Sequence, residues 1–187
     1  MNRLFKNLIS VGLSFFRCAF IRIFHFGKCS FGNLQRFSPN VTFNLDRKSV
    51  LHFGSKVRIH SGSKITVRSG AKLIIEDDVA LNYGAIIACR EAITIKSGTE
   101  IGPNVFIYDH DHDFHTKGGL KANKFATQSV EIGENAWIGA NTVILKGTKI
   151  GKNCVIGAGC VVTGVVENNT VLIQKRTNVT KKIIEES

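Results

Sequence analysis

The chain has 187 residues, enough for one compact domain with an appendage and for a sizeable core. With 43% hydrophobic and 21% charged residues it is not a disordered chain, and 18 Gly against 2 Pro exclude a collagen pattern or a Pro-rich linker. The 25 Lys and Arg outnumber the 14 Asp and Glu for a net charge of +11, which favours contact with phosphates, polyanions or an anionic membrane surface and says nothing of fold.

Five cysteines (Cys18, Cys29, Cys89, Cys154, Cys160) are an odd number without a C-x-x-C pair. They suit neither a zinc site nor a disulfide framework, and a reducing cytoplasm is the expected compartment.

Residues 1–36 form a first segment. Arg3, Lys6, Arg17, Arg22, Lys28 and Arg36 are its cations, no acidic residue precedes Asp46, and most of the chain's Phe lie here. Arg3, Asn7, Ser10, Ser14 and Arg17 recur at three-to-four-residue spacing, which predicts a basic amphipathic helix with a narrow polar stripe. Arg17 and Arg22 interrupt the apolar run, so a membrane-spanning helix is not expected. The run LISVGLSFF resembles a signal-peptide core, but Arg17-Cys18-Ala19-Phe20 is a poor cleavage site. Two readings stand. The helix packs on the end or side of the main domain or at a subunit contact, the commoner fate of apolar helices. Alternatively it lies peripherally in an anionic inner-membrane surface, Phe side down and Arg at the head groups.

Residues 37–170 are organised by a period of six. Aliphatics return at Ile132, Ile138, Ile144, Ile150, Ile156 and Val162, with small residues Ala136, Thr142, Thr148, Cys154 and Cys160 four positions after each of the first five. Upstream, Phe53, Ile59, Ile65, then Ile75, Leu81, Ile87, then Ile95, Ile101, Ile107 form triplets, and every extra residue falls after a third hexad. Such a pattern predicts an all-β, three-sided coil with insertions at one corner, whose successive turns pair as parallel strands about 4.8 Å apart. Aliphatics stack inside, small residues fill the corners, and Gly133, Gly139, Gly151 and Gly157 relieve the backbone where it bends. Segment 37–50 is a candidate preliminary coil. Cys154 and Cys160 hold small inward positions and are not expected to be nucleophiles.

One insertion is long. Residues 108–131 form an extruded loop opening Tyr108-Asp109-His110-Asp111-His112-Asp113-Phe114-His115. Long loops on rigid frames are commonly functional. Three readings remain at this point: an imidazole general base with an orienting partner, a metal site of His and carboxylates, and a solvated loop. The base is preferred over the metal, because a ligand set would need residues from other segments.

The run Asn135-Ala136-Trp137-Ile138-Gly139-Ala140-Asn141-Thr142-Val143-Ile144, continued by Val155-Ile156-Gly157-Ala158-Gly159-Cys160-Val161-Val162-Thr163, resembles the hexapeptide-repeat acyltransferase family. It is most similar to sugar O-acetyltransferases of the maltose and galactoside type. That resemblance covers residues 50–175 and implies a left-handed parallel β-helix, a homotrimer with active sites between prisms, and acetyl-CoA as co-substrate without a metal. It implies His112, five residues after Ile107, as the catalytic base, Asn82 as an acceptor-binding residue, and Trp137, Gly139, Ala140, Ala158 and Thr163 along the coenzyme.

The usual Gly-x-Pro ending is absent. The C-terminal basic tail, 171–187, reads Leu172-Ile173-Gln174-Lys175-Arg176, as in enzymes that acetylate capsule, exopolysaccharide or lipopolysaccharide sugars. Lys175 and Arg176 are candidates for coenzyme phosphates. The expected function is O-acetylation of a sugar or glycan hydroxyl, cytoplasmic or peripheral at the inner membrane. The alternatives are an amino-acid or amino-sugar acceptor and, further off, a metal-dependent hydratase like the γ-class carbonic anhydrases. No nucleic-acid partner is expected, because the basic residues lack interleaved aromatics.

Overall fold

A computed structural model describes residues 3–25, 28–177, 179 and 180, with side chains in the helix from Ile9 onward. The chain is a left-handed parallel β-helix of about six turns with α1 (Arg3–Phe24) across its N-terminal end. Among the described residues two faces of the prism carry seven parallel strands and the third carries six. Coils run from the Cys29–Phe31 strand to the Val171–Leu172 strand, beyond residues 37–170 on both sides.

Three columns form the core. Phe31, Phe53, Ile75, Ile95, Ile132, Ile150 and Val166 stack in register on the first face. Ile59, Leu81, Ile101, Ile138 and Ile156 do so on the second, and Ile65, Ile87, Ile107, Ile144 and Val162 on the third. All fifteen aliphatic and aromatic residues of the five expected triplets are buried. So are Ala136, Thr142, Thr148, Cys154 and Cys160 at the small positions. Thr142 donates to the Gly157 carbonyl at 3.2 Å and Thr148 to that of Leu145 at 2.6 Å, so the inward hydroxyls are satisfied at the corners.

The first coil is built from Phe31, Phe37 and Phe43, themselves six residues apart. Their rings close on Phe53 with centroids 5.5–6.2 Å away, so phenyl groups fill the interior of this end where aliphatics fill it further along.

Bends are shared between Asn and glycines other than those expected. Left-handed backbone at the corners falls on Asn135, Asn141, Asn153 and Asn169, with φ of 54°, 57°, 54° and 58°, and on Gly147, Gly159 and Gly164, with φ of 75°, 70° and 75°. The Asn side chains ladder between coils, Asn153 Nδ2 donating to Asn169 Oδ1 at 2.9 Å. Gly139 and Gly151 do not take that backbone. They sit where the next coil passes closest: a Cβ on Gly139 would lie 2.5 Å from Ala158 N, and one on Gly151 would lie 2.6 Å from Asn168 N.

The polar stripe of α1 faces the prism. The Phe37 N–H donates to Ser14 Oγ at 2.7 Å, and Ser14 donates to the Ser10 carbonyl. Arg17 donates to the carbonyls of Ser38, Pro39 and Val41 and lies over the Phe43 ring. These are open backbone groups at the end of the solenoid, which have no further coil to pair with. Cys18 and Ile21 are buried beside them, and burial pushes the Cys18 thiol up to about 12. The side chains of Arg3 and Asn7, the remainder of the expected stripe, lie outside the described residues, as do residues 181–187 of the tail. No helix among the described residues is long and apolar enough to cross a membrane.

Candidate active site

Every insertion falls at the corner between the third and first faces, and the long one leaves there between Tyr108 and Val130. It forms a hairpin: His110–His112 pairs antiparallel with Phe125–Thr127, His112 opposite Phe125, and a short 3₁₀ turn covers Gly119–Ala122.

Asp109 holds the hairpin to the frame. Its carboxylate is fully buried and accepts from the Arg90 N–H at 2.8 Å and the Glu91 N–H at 2.7 Å, on the preceding coil. The Gln128 N–H donates to the Asp109 carbonyl, which closes the base of the hairpin. On the following coil, Lys146 Nζ reaches Asp111 at 2.6 Å. Cys89 lies buried against Asp109; burial first and this carboxylate second push its thiol well above the ordinary range, so it stays protonated and is no nucleophile.

Two imidazoles share one side of the strand because the strand period is two. His110 Nδ1 lies 2.9 Å from Asp109 Oδ1, which leaves Nε2 to point elsewhere. Its side chain is 16% exposed. His112 is exposed, with its ring 4.5 Å from that of Phe125, and no hydrogen bond among the described residues engages it. The Arg90 guanidinium stacks 3.3 Å from the Phe125 centroid, so one phenyl ring supports a cation and both imidazoles. His115 sits further along, its N–H donating to Asp113.

The other expected residues fall into two groups. Thr163 follows the Val161–Val162 strand on the hairpin's own corner and is exposed. Asn82, Gly139, Ala140 and Ala158 follow strands of the second face and so occupy the corner between the second and third faces. Arg176 joins them by donating to the Gly159 carbonyl, while Lys175 is exposed. Trp137 stands 59% exposed on the second face, in register with Glu100 and Val155. The Gly139 N–H is spent on the Ile156 carbonyl at 2.7 Å. That of Ala140 has no partner among the described residues. Asn82 Oδ1 accepts from the Tyr83 N–H at 3.0 Å, and its amide NH₂ has no partner among the described residues.

His60 went unnoticed in the sequence. It stands one coil before Asn82 on the same corner, its ring 4.9 Å from that of Tyr83. Desolvation, then Arg58 and Arg36, hold its pKa below the ordinary 6.5. Its sequence signal is its place directly after the inward Ile59, as Asn82 directly follows the inward Leu81 one coil on.

Among the described residues, no three His, Cys, Asp or Glu side chains are grouped so as to hold a metal ion. Ala140 and Ala158 keep side chains small at this corner, and Arg176 reaches it through its bond to the Gly159 carbonyl, so the backbone there is open to a thin ligand.

Residues 129–164 match the family model described as bacterial transferase hexapeptide (six repeats). Nodulation protein L of Rhizobium leguminosarum bv. viciae is 42% identical over 69 residues, 35% of this chain and 34% of that protein. WbbJ of Escherichia coli (strain K12), named for O-acetyl transfer in lipopolysaccharide biosynthesis, is 30% identical over 119 residues, 59% of this chain and 61% of that protein. The matched regions thus span less than two thirds of these curated relatives. A serine-to-threonine mutant of AntD, an N-acyltransferase from Bacillus cereus in complex with dTDP and coenzyme A, superposes with a TM-score of 0.65 at 19% identity, covering 75% of this chain and 76% of that one, and so shares the fold. The chain carries the hexapeptide repeats of the bacterial transferases that its sequence resembles.

Proposed function

We propose that this protein transfers an acetyl group from acetyl-CoA to a hydroxyl of a sugar, as part of a surface polysaccharide or its precursor. The observation that carries the reading is the hairpin of two imidazoles, tethered to a rigid prism by a fully buried carboxylate. WbbJ, the relative named for O-acetyl transfer, supports a hydroxyl acceptor.

His112 is the base in this reading, exposed and backed by Phe125. It takes the proton of the acceptor hydroxyl as that oxygen bonds to the thioester carbonyl carbon. The free Ala140 N–H is the donor for the oxyanion. When the carbon–sulfur bond breaks, His112 returns the proton to the coenzyme thiolate, and no acyl-enzyme forms. Asn82 offers its amide NH₂ to the acceptor. Trp137, Gly139, Ala140, Ala158 and Thr163 border the pantetheine, and Lys175 and Arg176 meet its phosphates.

The hairpin and the Ala140 corner stand on different corners of one prism. A homotrimer, in which one prism's hairpin meets a neighbour's corner, would bring them together. The cytoplasm, where acetyl-CoA is made, is the compartment for this reaction.

The Asp109–His110 pair favours a second reading, in which His110 is the base and Asp109 orients it. Thiol release from acetyl-CoA against a panel of sugars, nucleotide sugars and glycan fragments tests both. His112→Ala should lower turnover by roughly 10²–10⁴-fold, the usual share of a general base. A folded His112→Ala protein with near-normal turnover, beside an inactive His110→Ala protein, moves the base to His110. No thiol release with any acceptor overturns acetyl transfer itself.

A further inference from the structure

The helix α1 is amphipathic the wrong way round for a helix that merely packs. Its polar side chains, Ser14 and Arg17, are consumed by open carbonyl and N–H groups of the first coil. Its outward side is left to Ile9, Leu13, Phe16, Phe20 and Ile23, exposed by 42%, 53%, 71%, 60% and 70%. Contiguous apolar surface of this kind marks an interaction site on a folded protein.

A groove of about 650 Å³ runs beside this face, between α1 and the Phe31–Gln35 segment. Its walls are Val11, Phe15, Ala19, Phe31 and Leu34, with Arg22 among the lining residues. It is within the size range of small-molecule pockets, and it suits an aliphatic chain next to an anionic group.

Charge decides between occupants. Residues 1–45 carry six Lys and Arg and no acidic residue; Arg17 is spent on the prism, while Arg22, at the groove, and Lys28 are exposed. A second copy of the helix laid on the first would bring these cations together without counter-charge. A surface of anionic head groups would neutralise them while the phenyl and aliphatic groups enter the acyl boundary. The helix is interrupted by arginines and cannot cross, so it would lie in the plane of that boundary.

We propose that the outward face of α1 is a docking surface for an anionic phospholipid bilayer, with the prism axis directed away from it. The inference stands apart from the acetyl-transfer reading. If the protein is a side-by-side trimer, three such faces lie on one base, and their weak individual affinities multiply.

Sedimentation of the full chain with vesicles tests it. Vesicles of phosphatidylcholine and phosphatidylglycerol should carry the protein down, and phosphatidylcholine alone should do so at least about tenfold more weakly. Exchanging Phe16, Phe20 and Ile23 together for Gln, a good helix former, should weaken binding to the anionic vesicles by about tenfold or more while circular dichroism and solution mass stay unchanged. If the triple variant loses helical signal, Phe20→Gln alone serves the same comparison. Absence of binding by the wild-type chain overturns the proposal, as does undiminished binding by the folded variant. A fall in solution mass in that variant overturns it too, by making the face a contact between copies. The readout needs no turnover, so it fails or succeeds independently of the proposed chemistry.

Discussion

Along the coils, each inward aliphatic is backed by others of its kind. Ile101 sits between Leu81 and Ile138, and both neighbours are held by the next coils out. Backbone bonds repeat with the same period, so no single one is decisive. The hairpin that leaves the prism has no such redundancy. It hangs on Asp109, on the Lys146–Asp111 pair and on the Arg90–Phe125 stack, each present once. Periodic order confers stability through many equivalent contacts, whereas a single outgrowth depends on a few unlike ones, and those few also position the chemistry.

The largest effect should come from the periodic part. Ile101→Ala leaves a cavity in the middle of the second column, and rigid neighbours above and below limit its collapse. A loss of about 2–5 kcal/mol is expected in denaturant unfolding. Thiol release per folded molecule should be nearly unchanged, since Ile101 touches neither imidazole. A selective loss of activity with full stability would break the distinction between frame and site.

Asp109→Ala should act the other way. It leaves the Arg90 and Glu91 N–H groups without their acceptor and frees His110. An uncompensated buried donor costs about 1–3 kcal/mol. The cost should be local: amide exchange should speed up across 109–128 while the coils around Ile138 and Ile156 keep their protection. Equal loss of protection everywhere would mean that the hairpin and the prism unfold as one unit.

Much of the frame was legible because its period is simple. All five triplets lie inward, and the extruded segment falls where the spacing breaks. The preliminary coil expected at 37–50 begins earlier, at the Cys29–Phe31 strand, and its start was hidden because Phe31 keeps the period with an aromatic in place of an aliphatic. The stripe on α1 was also legible, but helical spacing tells only which residues share a side. It does not tell what that side meets, and the open carbonyls of the first coil leave no mark in the sequence. The His-rich segment stood out by density. The role of Asp109 did not, because its partners are main-chain amides, which every residue possesses. The Gly139 amide illustrates the same blindness: its N–H is already spent on the ladder, and only the coil register reveals it.

The smallest effect concerns His60, on the frame near Asn82. Burial is the largest cause of its lowered pKa, and Arg58 and Arg36 add to it, with Glu100 opposing. Between the folded value and the ordinary 6.5, the unfolded chain binds more protons at this site than the native one. Stability from this residue is therefore complete above that ordinary value and is lost as pH falls through the folded one. The ring is partly open to solvent, so the contribution is modest. Melting temperature followed from pH 8 to pH 5 should fall less steeply for His60→Gln than for the wild type. An identical slope would mean that the Arg58–Glu100 pair, at 2.5 Å, already neutralises the corner and that His60 titrates there as a free imidazole would.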